Sequence, residues 1–255
     1  MSVVTAAPWS ERTVVVTGGA NGIGAAIVRE FGAAGVSRGV VLDLAETLGR
    51  AVHSEGWLEV AVDLRDDEWV SRAFGEARRA LGSIDVLVAA AGIVPGWTAI
   101  GTLDPEEWDD LFRVNARGVM RSIQEALPAM SAGGSIVVIA SQNAWLGNQN
   151  LPGYTASKHA ALGLVRSVAL ELGPRGIRVN AVGPGSVATD AYVGRLRARE
   201  EAGGLSVDEA LERERLATPL ERLTTVEDVA RATLFLASDL ASGVTGHVLP
   251  VGAAG

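Results

Sequence analysis

The strongest constraint on the fold is a regular alternation of short apolar segments with longer helical patterns. The apolar segments are bounded by Gly, Asp or Pro, as expected of strands, and cover residues 13–17, 39–44, 57–64, 84–92, 135–140, 177–185 and 245–252. Helical patterns follow them: one closes at Gly35, one ends near Leu81, and others span 105–130, 154–173 and 226–240. This alternation predicts a doubly wound parallel sheet of about seven strands in an α/β fold of three layers, α/β/α.

No repeat, low-complexity tract or interdomain linker interrupts this pattern, so a single domain over residues 1–255 is predicted. Residues 1–11 are predicted to be a loose leader. The charged stretch 190–218 is predicted to form helices over an edge of the sheet, where they would cover a substrate.

Composition excludes several classes of protein. The net charge of −8 argues against a nucleic acid or an anionic membrane as the main partner. The absence of cysteine excludes disulfides and thiolate metal sites, and His53, His159 and His247 have no metal-ligand spacing, so no metal is predicted. The chain lacks a signal-peptide pattern and any apolar run near the ~20 residues that would span a bilayer. We therefore expect a cytoplasmic protein without a membrane partner.

A glycine-rich turn lies between the first predicted strand and its helix. Gly18, Gly22 and Gly24 form a GxxxGxG pattern, which differs from the commoner GxGxxG of dinucleotide sites. Glycines let the backbone approach a ligand closely, and the start of the following helix offers unpaired N–H groups to a phosphate. The turn therefore indicates a dinucleotide site.

Asp43 ends the second predicted strand, about twenty residues beyond that turn. A carboxylate at this point can accept hydrogen bonds from a ribose diol and repels a 2′-phosphate. No arginine or lysine lies in the turn or directly after Asp43, so NAD is favoured over NADP. The alternative is that Asp43 only caps the end of its strand.

Tyr154 and Lys158 lie four residues apart in a helical pattern, so their side chains share one face. Lys158 is the only lysine in the chain, and Tyr154 is one of two tyrosines. A phenol is a poor base at neutral pH, but an adjacent positive charge lowers its pKa, so the pair is a candidate general acid/base. Alternatively, Tyr154 is a half-buried aromatic residue and Lys158 a solvated one.

Together, the motifs resemble those of the short-chain dehydrogenase/reductase family over almost the whole chain, from about Thr13 to Gly252. The matching elements are TGGANGIG at 17–24, Asp43, Asp63, AAAG at 89–92, Asn115, Ser141, Tyr154 with Lys158, and PGSVAT at 184–189. The resemblance implies a Rossmann-type domain and a reaction in which NAD(P) exchanges hydride with a carbinol carbon.

The resemblance also implies the residues that contact the cofactor. The residues expected at the pyrophosphate and ribose are Gly18, Asn21, Gly22, Ile23 and Gly24. Asp43 would hold the adenosine ribose, Asp63 and Leu64 would flank the adenine, and Ala91 and Gly92 would lie under the cofactor. The nicotinamide end would contact Tyr154, Lys158, Pro184, Gly185, Val187 and Thr189.

By the same resemblance, Tyr154 is the acid/base, and Lys158 lowers the pKa of Tyr154 and binds the nicotinamide ribose. Ser141 would hydrogen-bond the substrate oxygen, and Asn115 would position a water that relays the proton. Ser141 could instead terminate its strand, and Asn115 could have a structural role in a helix kink. The residues expected to bind substrate are Ser141, Asn143, Trp145, Tyr154 and Tyr192. Other pocket candidates are Val94, Pro95, Trp97, Gln142, Leu151 and Val193.

These pocket residues combine apolar walls with two amides, which favours a neutral, moderately hydrophobic secondary alcohol or ketone. Arg195, Arg197 and Arg199 lie nearby, but their pattern is interpreted as a solvated helix face. The classes left open are a polyol or sugar dehydrogenase, a steroid-like alcohol dehydrogenase and an NADPH-dependent 3-oxoacyl reductase. Asp43 counts against the last. A non-catalytic NAD(H)-binding regulatory protein is a further alternative.

Two positions depart from the family pattern. Ala90 replaces an asparagine that would brace the sheet, and the chain ends Val251-Gly252-Ala253-Ala254 where a VDGG sequence is common. The helices at 105–130 and 154–173 are those the family often packs between subunits, so the resemblance implies a homodimer or homotetramer.

Overall fold

The computed structural model describes residues 8–49 and 56–252. His53, Ala253, Ala254 and the first seven residues of the predicted leader lie outside the described residues.

A sheet of seven parallel strands forms the centre of the molecule, in the order β3-β2-β1-β4-β5-β6-β7. The strands are β1 (Thr13–Thr17), β2 (Arg38–Asp43), β3 (Trp57–Ala61), β4 (Val86–Ala89), β5 (Ser135–Ile139), β6 (Arg178–Pro184) and β7 (Val248–Val251). The helices are α1 (Gly22–Ala33), α2 (Asp67–Leu81), α3 (Pro105–Phe112), α4 (Val119–Ala126), α5 (Pro152–Leu172), α6 (Asp190–Glu201), α7 (Val207–Ala217) and α8 (Val226–Ala237). The predicted doubly wound α/β fold is confirmed.

Each face of the sheet is covered by its own apolar core, because successive strand residues point to opposite faces. Val15 packs on the side of α2, α4 and α5, whereas Val14 and Val16 pack on the side of α1 and α8. All three valines are fully buried. Burial on both faces explains why the strands are continuous apolar runs rather than alternating ones.

The strand order reverses between β1 and β4. The connection from β1 passes to β2 on one side, and the chain then returns to β4 on the other side of β1. At such a switch point the loops after the two strands diverge and leave a crevice at the carboxyl ends of the strands. The glycine turn after β1 and the AAAG segment at the end of β4 therefore meet at this edge.

Several boundaries differ from the sequence-based predictions. The strands predicted at 57–64, 84–92 and 245–252 are shorter. Beyond their ends single backbone hydrogen bonds, such as that from the N–H of Val62 to the carbonyl of Asp43 at 2.8 Å, still connect the chain to the neighbouring strand. The predicted helix 105–130 is divided by a π-helical turn, Arg113–Gly118, and finishes in a 3₁₀ turn, Leu127–Ala129.

The predicted loose leader is wrong for residues 9–11, which form a 3₁₀ turn. Trp9 packs edge-on against Phe31 of α1, with 5.3 Å between the ring centroids. The guanidinium of Arg12 lies over the Trp9 ring and pairs with Asp239 at 2.6 Å.

Candidate active site

The glycine turn is packed tightly against the segment that follows β4. Gly18 has a φ of 68°, and a Cβ on it would lie 2.6 Å from the Cα of Ala91. A side chain at Gly24 would collide with the carbonyl oxygen of Gly18. At the start of α1 the side chain of Asn21 makes no capping hydrogen bond, so the N–H groups of the first helical turn are not satisfied by it. This cradle fits the pyrophosphate of a dinucleotide.

Asp43 connects the end of β2 to that turn. Its Oδ2 accepts a hydrogen bond from the backbone N–H of Ala20 at 2.9 Å, and its Oδ1 accepts one from Leu44 at 2.8 Å. Asp43 therefore has the capping role that was the alternative interpretation. Each carboxylate oxygen retains a second lone pair, so Asp43 still fits a ribose diol.

The adenine candidates occupy two different environments. Asp63 pairs with Arg65 at 3.2 Å and is partly exposed. Leu64 is buried in the core against Gly118, so its side chain packs inward rather than toward the crevice.

Beyond β4 the backbone is held by Thr17 of β1. The N–H of Ala90 donates to the Thr17 carbonyl at 3.1 Å, and the N–H of Ala91 donates to its hydroxyl at 3.4 Å. Gly92 follows, and a Cβ there would lie 3.1 Å from the Asn115 side-chain oxygen and 3.3 Å from Lys158 Nζ. Only a glycine leaves both side chains their full room at this position.

Asn115 is fully buried in the π-helical turn between α3 and α4. Its side chain hydrogen-bonds the backbone of Ile93 and donates to the hydroxyl of Ser157 at 3.1 Å. The structural role weighed from the sequence is therefore present. π-Helical turns often occur at functional sites.

Tyr154 and Lys158 project from the first two turns of α5 and are both buried. Lys158 Nζ donates to the carbonyl of Ile139 at 3.1 Å and lies 5.7 Å from the centroid of the Tyr154 ring. Burial disfavours the charged ammonium and lowers the pKa of Lys158 to about 8.

The pKa of Tyr154 differs from the sequence-based expectation. Burial raises it, which outweighs the lowering effects of a hydrogen bond with Ser141 and the positive charge of Arg195. The ammonium of Lys158 does not offset this effect, and burial lowers its own pKa as well. The dominant influence on the phenol is therefore desolvation rather than the neighbouring ammonium.

A cavity of about 460 Å³ opens above the carboxyl ends of β5 and β6, with Tyr154 in its wall. It brings together four of the five predicted substrate residues: Ser141, Asn143, Tyr154 and Tyr192. The predicted cofactor residues that also line it are Ile23, Pro184, Gly185, Val187 and Thr189. A Cβ on Gly22 would lie 3.7 Å from the Thr189 methyl group, so the glycine turn and the start of α6 face each other across the crevice.

Trp145 is not brought into this cavity. Its ring packs on β6, where a Cβ at Gly183 would collide with it, and it contacts the core beside Val248. Pro95 and Val193 are also absent from the cavity wall, whereas Val94, Trp97, Gln142 and Leu151 line it.

The last strand, β7, holds in place residues that line the cavity. The N–H of Gly185 donates to the carbonyl of Val251 at 2.9 Å, which holds the end of β6 against β7. Val187 forms an isolated bridge to Thr224, and the hydroxyl of Thr189 caps α6 by accepting from the N–H of Tyr192 at 3.2 Å.

Sequence reasoning missed the charged residues of the cavity, Arg195, Arg199, Arg213 and Glu214. The interpretation of a solvated helix face is wrong for Arg195, which is partly buried with its guanidinium carbon 5.4 Å from the centroid of the Trp97 ring. Arg199 is exposed, although its guanidinium carbon also lies over that ring, at 5.1 Å from the centroid. The helical spacing could have identified them, since residues 192, 195 and 199 share a face and Tyr192 was placed in the pocket. Arg197 is exposed, as that interpretation requires.

The described residues hold no group of three or more His, Cys, Asp or Glu that could bind a metal ion. No helix within 8–49 and 56–252 has the length and apolar character needed to cross a bilayer.

Comparison with known proteins gives a consistent match. A family model described as enoyl-(acyl carrier protein) reductase matches residues 18–253. A short-chain dehydrogenase reductase of Arabidopsis thaliana is 38% identical, over 94% of this chain and 91% of its own. The cis-4-hydroxycyclohexanecarboxylate dehydrogenase of Sinomonas cyclohexanicum is also 38% identical, over 95% and 96%. The crystal structure of a short-chain dehydrogenase family protein from Francisella tularensis aligns with a TM-score of 0.86 at 28% identity, covering 94% of this chain and 96% of that one.

Proposed function

The chain belongs to the short-chain dehydrogenase/reductase family of NAD(P)-binding oxidoreductases, and from this premise we propose that it interconverts a secondary alcohol and a ketone with NAD. One observation carries the proposal. Tyr154 and Ser141 line the same cavity as Ile23 and Thr189, which border the phosphate cradle, so a carbinol and a dinucleotide can meet there.

In this proposal Tyr154 moves the proton at the substrate oxygen. Because burial raises the pKa of Tyr154, the phenol is protonated at neutral pH and suited to donate to a ketone oxygen. In the oxidative direction it must accept the hydroxyl proton, and positive charge in the site favours that step. Bound NAD⁺ supplies the nicotinamide ring that accepts hydride.

Ser141 and Lys158 orient the groups around Tyr154. Ser141 lowers the pKa of Tyr154, and its hydroxyl lines the cavity, where it can bind the substrate oxygen. Lys158 is anchored by the Ile139 carbonyl and has two further N–H donors for the nicotinamide ribose.

We assign Asn115 a positioning role next to Lys158. Its side-chain oxygen and the Lys158 ammonium both approach Gly92, so Asn115 fixes the backbone over which the cofactor would lie. A relay water near Asn115 would carry the Tyr154 proton to solvent.

Asp43 supports the choice of NAD. The N–H groups of Ala20 and Leu44 hold its carboxylate in place. The carboxylate would therefore stay close to the 2′-phosphate of a bound NADP. Repulsion between the two anions would disfavour NADP, which also counts against a 3-oxoacyl reductase of the NADPH-dependent type.

The segment 190–218 is proposed to cover the substrate within a single domain, since α6 and α7 contribute Tyr192, Arg195 and Glu214 to the cavity wall. A cytoplasmic homodimer or homotetramer is proposed on the family resemblance, and a chain without cysteine is compatible with a reducing compartment.

The test is NADH formation at 340 nm with a panel of polyols, hydroxysteroids and ring alcohols, run with NAD⁺ and NADP⁺ in parallel. The panel includes hydroxycyclohexanecarboxylates, since one relative is named for such a compound. Turnover that prefers NAD⁺ supports the proposal. Tight NADH binding with no turnover across the panel would favour the non-catalytic regulatory alternative.

A further inference from the structure

Arg195 is a half-buried cation inside the proposed substrate cavity. Its guanidinium carbon lies 5.4 Å from the centroid of Trp97 and 5.3 Å from that of Tyr192. One N–H of Nη1 donates to the carbonyl of Pro95 at 3.3 Å. The contacts with Trp97 and Pro95 hold this side chain against the loop after β4, and Tyr192 packs on it from within α6.

No carboxylate of the described residues neutralises this cation. Within 8–49 and 56–252, neither Arg195 nor Arg199 nor Arg213 has an ion pair within 4 Å, although all three line the cavity. Glu214 also lines it, but its Oε2 accepts a hydrogen bond from the Ser186 hydroxyl at 2.6 Å. The cavity wall therefore carries more positive than negative charge, and Arg195 is the one of its three arginines that is partly buried.

The packing of Arg195 determines which partner it can take. Aromatic rings cover the faces of a guanidinium, whereas its N–H donors point outward in its plane. Donors in that arrangement match the two oxygens of a carboxylate and form a bidentate pair. A partly desolvated cation without a counter-ion is costly, so a bound anion would stabilise this site.

Arg195 also lies close enough to the reacting group to share one small ligand with it. Its charge lowers the pKa of Tyr154, and the pKa of Arg195 is itself lowered by burial and raised by Tyr154 and Tyr192. A cavity of about 460 Å³ is at the small end of the range for ligand sites. The anion and the carbinol would therefore belong to one compact molecule.

We propose that the substrate is a hydroxy acid or keto acid whose carboxylate is bound by Arg195, with Arg199 and Arg213 adding positive charge near the cavity mouth. This proposal rests on the proposed function and replaces the neutral substrate expected from the sequence. The competing interpretation is a neutral polyhydroxylated substrate bound by the carboxamides of Asn148, Gln149 and Asn150, which also line the cavity.

The test compares 4-hydroxycyclohexanecarboxylate with its neutral methyl ester in wild type, Arg195→Gln and Arg197→Gln. Arg197 is the matched control, because it lies on the same helix but is exposed outside the cavity. We expect wild type to prefer the acid. Arg195→Gln should lower kcat/KM for the acid about 10- to 100-fold, as expected for a charge-assisted hydrogen bond, and for the ester less than about threefold. Arg197→Gln should leave both values unchanged.

A binding measurement separates this proposal from the proposed function. Cyclohexanecarboxylate has no hydroxyl and cannot be oxidised, so calorimetry in the presence of NADH reports carboxylate binding alone. Binding to wild type and Arg197→Gln that is lost in Arg195→Gln supports the proposal even without turnover. Oxidation of neutral alcohols by an enzyme that binds no cyclohexanecarboxylate, or an equal loss for acid and ester in Arg195→Gln, would overturn it and leave the proposed function standing.

Discussion

The side chain of Asn115 and the backbone of Ile93 are joined by two reciprocal hydrogen bonds, each 2.9 Å long. The Asn115 Oδ1 accepts from the Ile93 N–H, and its Nδ2 donates to the Ile93 carbonyl. The pair links the π-helical turn between α3 and α4 to the segment directly after Gly92. A side chain far away in the sequence thereby fixes the backbone next to the proposed nicotinamide site.

Substitution Asn115→Ala is expected to lower the free energy of unfolding by about 1–3 kcal/mol, because it leaves the two polar groups of Ile93 without their partner. Urea denaturation measures this change. If Asn115 also supports catalysis, kcat should fall at least about tenfold while NADH still binds. An unchanged unfolding free energy would show that the two hydrogen bonds do not brace this segment.

Substitution Lys158→Met should change how stability depends on pH. The pKa of Lys158 falls from 10.5 in the unfolded chain to about 8 in the folded protein, so between these values the unfolded state holds more protons. Wild-type stability should therefore rise with pH in this window, by about 1 kcal/mol per pH unit at most. The variant lacks the titrating group and should not show this contribution.

Urea denaturation of both proteins at pH 8.0, 8.75 and 9.5 provides the comparison. This window stays below the ordinary phenol pKa, so the raised pKa of Tyr154 contributes little to the difference. Parallel stability profiles for wild type and variant would contradict a lowered pKa at Lys158.

Substitution Asp43→Ala should raise the ratio of kcat/KM for NADP⁺ to that for NAD⁺ at least about tenfold, because it removes both the diol acceptor and the repulsion of a 2′-phosphate. It should also cost some stability, since the N–H of Ala20 loses its acceptor. Asp43→Asn is the control that keeps an acceptor oxygen without the charge. If this ratio stays at the wild-type value in both variants, Asp43 does not contact the adenosine ribose of the cofactor.

The order of strands and helices could be predicted because burial on both faces of the sheet leaves apolar runs in the sequence. The strand ends could not be predicted from that signal. Leu64 is buried although it follows the end of β3, so the apolar pattern reports burial as well as strand pairing. The π-helical turn was also missed, because it changes the backbone hydrogen bonds while keeping a nearly helical pattern.

Residues of the candidate site could be predicted where they belong to a short sequence motif, such as the glycine turn or the i, i+4 pair of Tyr154 and Lys158. The charged residues of the cavity were not predicted. Helical spacing places residues 192, 195 and 199 on one face of α6, but the direction of that face depends on contacts distant in sequence. Arg195 meets Trp97 almost one hundred residues away, and α6 shows no clear apolar face that would orient it. The raised pKa of Tyr154 likewise follows from burial, which a sequence pattern does not report.

The most direct test of the central claim is to measure NADH formation at 340 nm by Tyr154→Phe, together with NADH binding by fluorescence titration. The variant loses only the phenol hydroxyl, so we predict a fall in kcat of at least about a thousandfold with NADH affinity nearly unchanged. Tyr192→Phe removes the only other phenol hydroxyl and should retain turnover, even if KM changes. Turnover by Tyr154→Phe at the wild-type rate would contradict the assignment of Tyr154 as the acid/base.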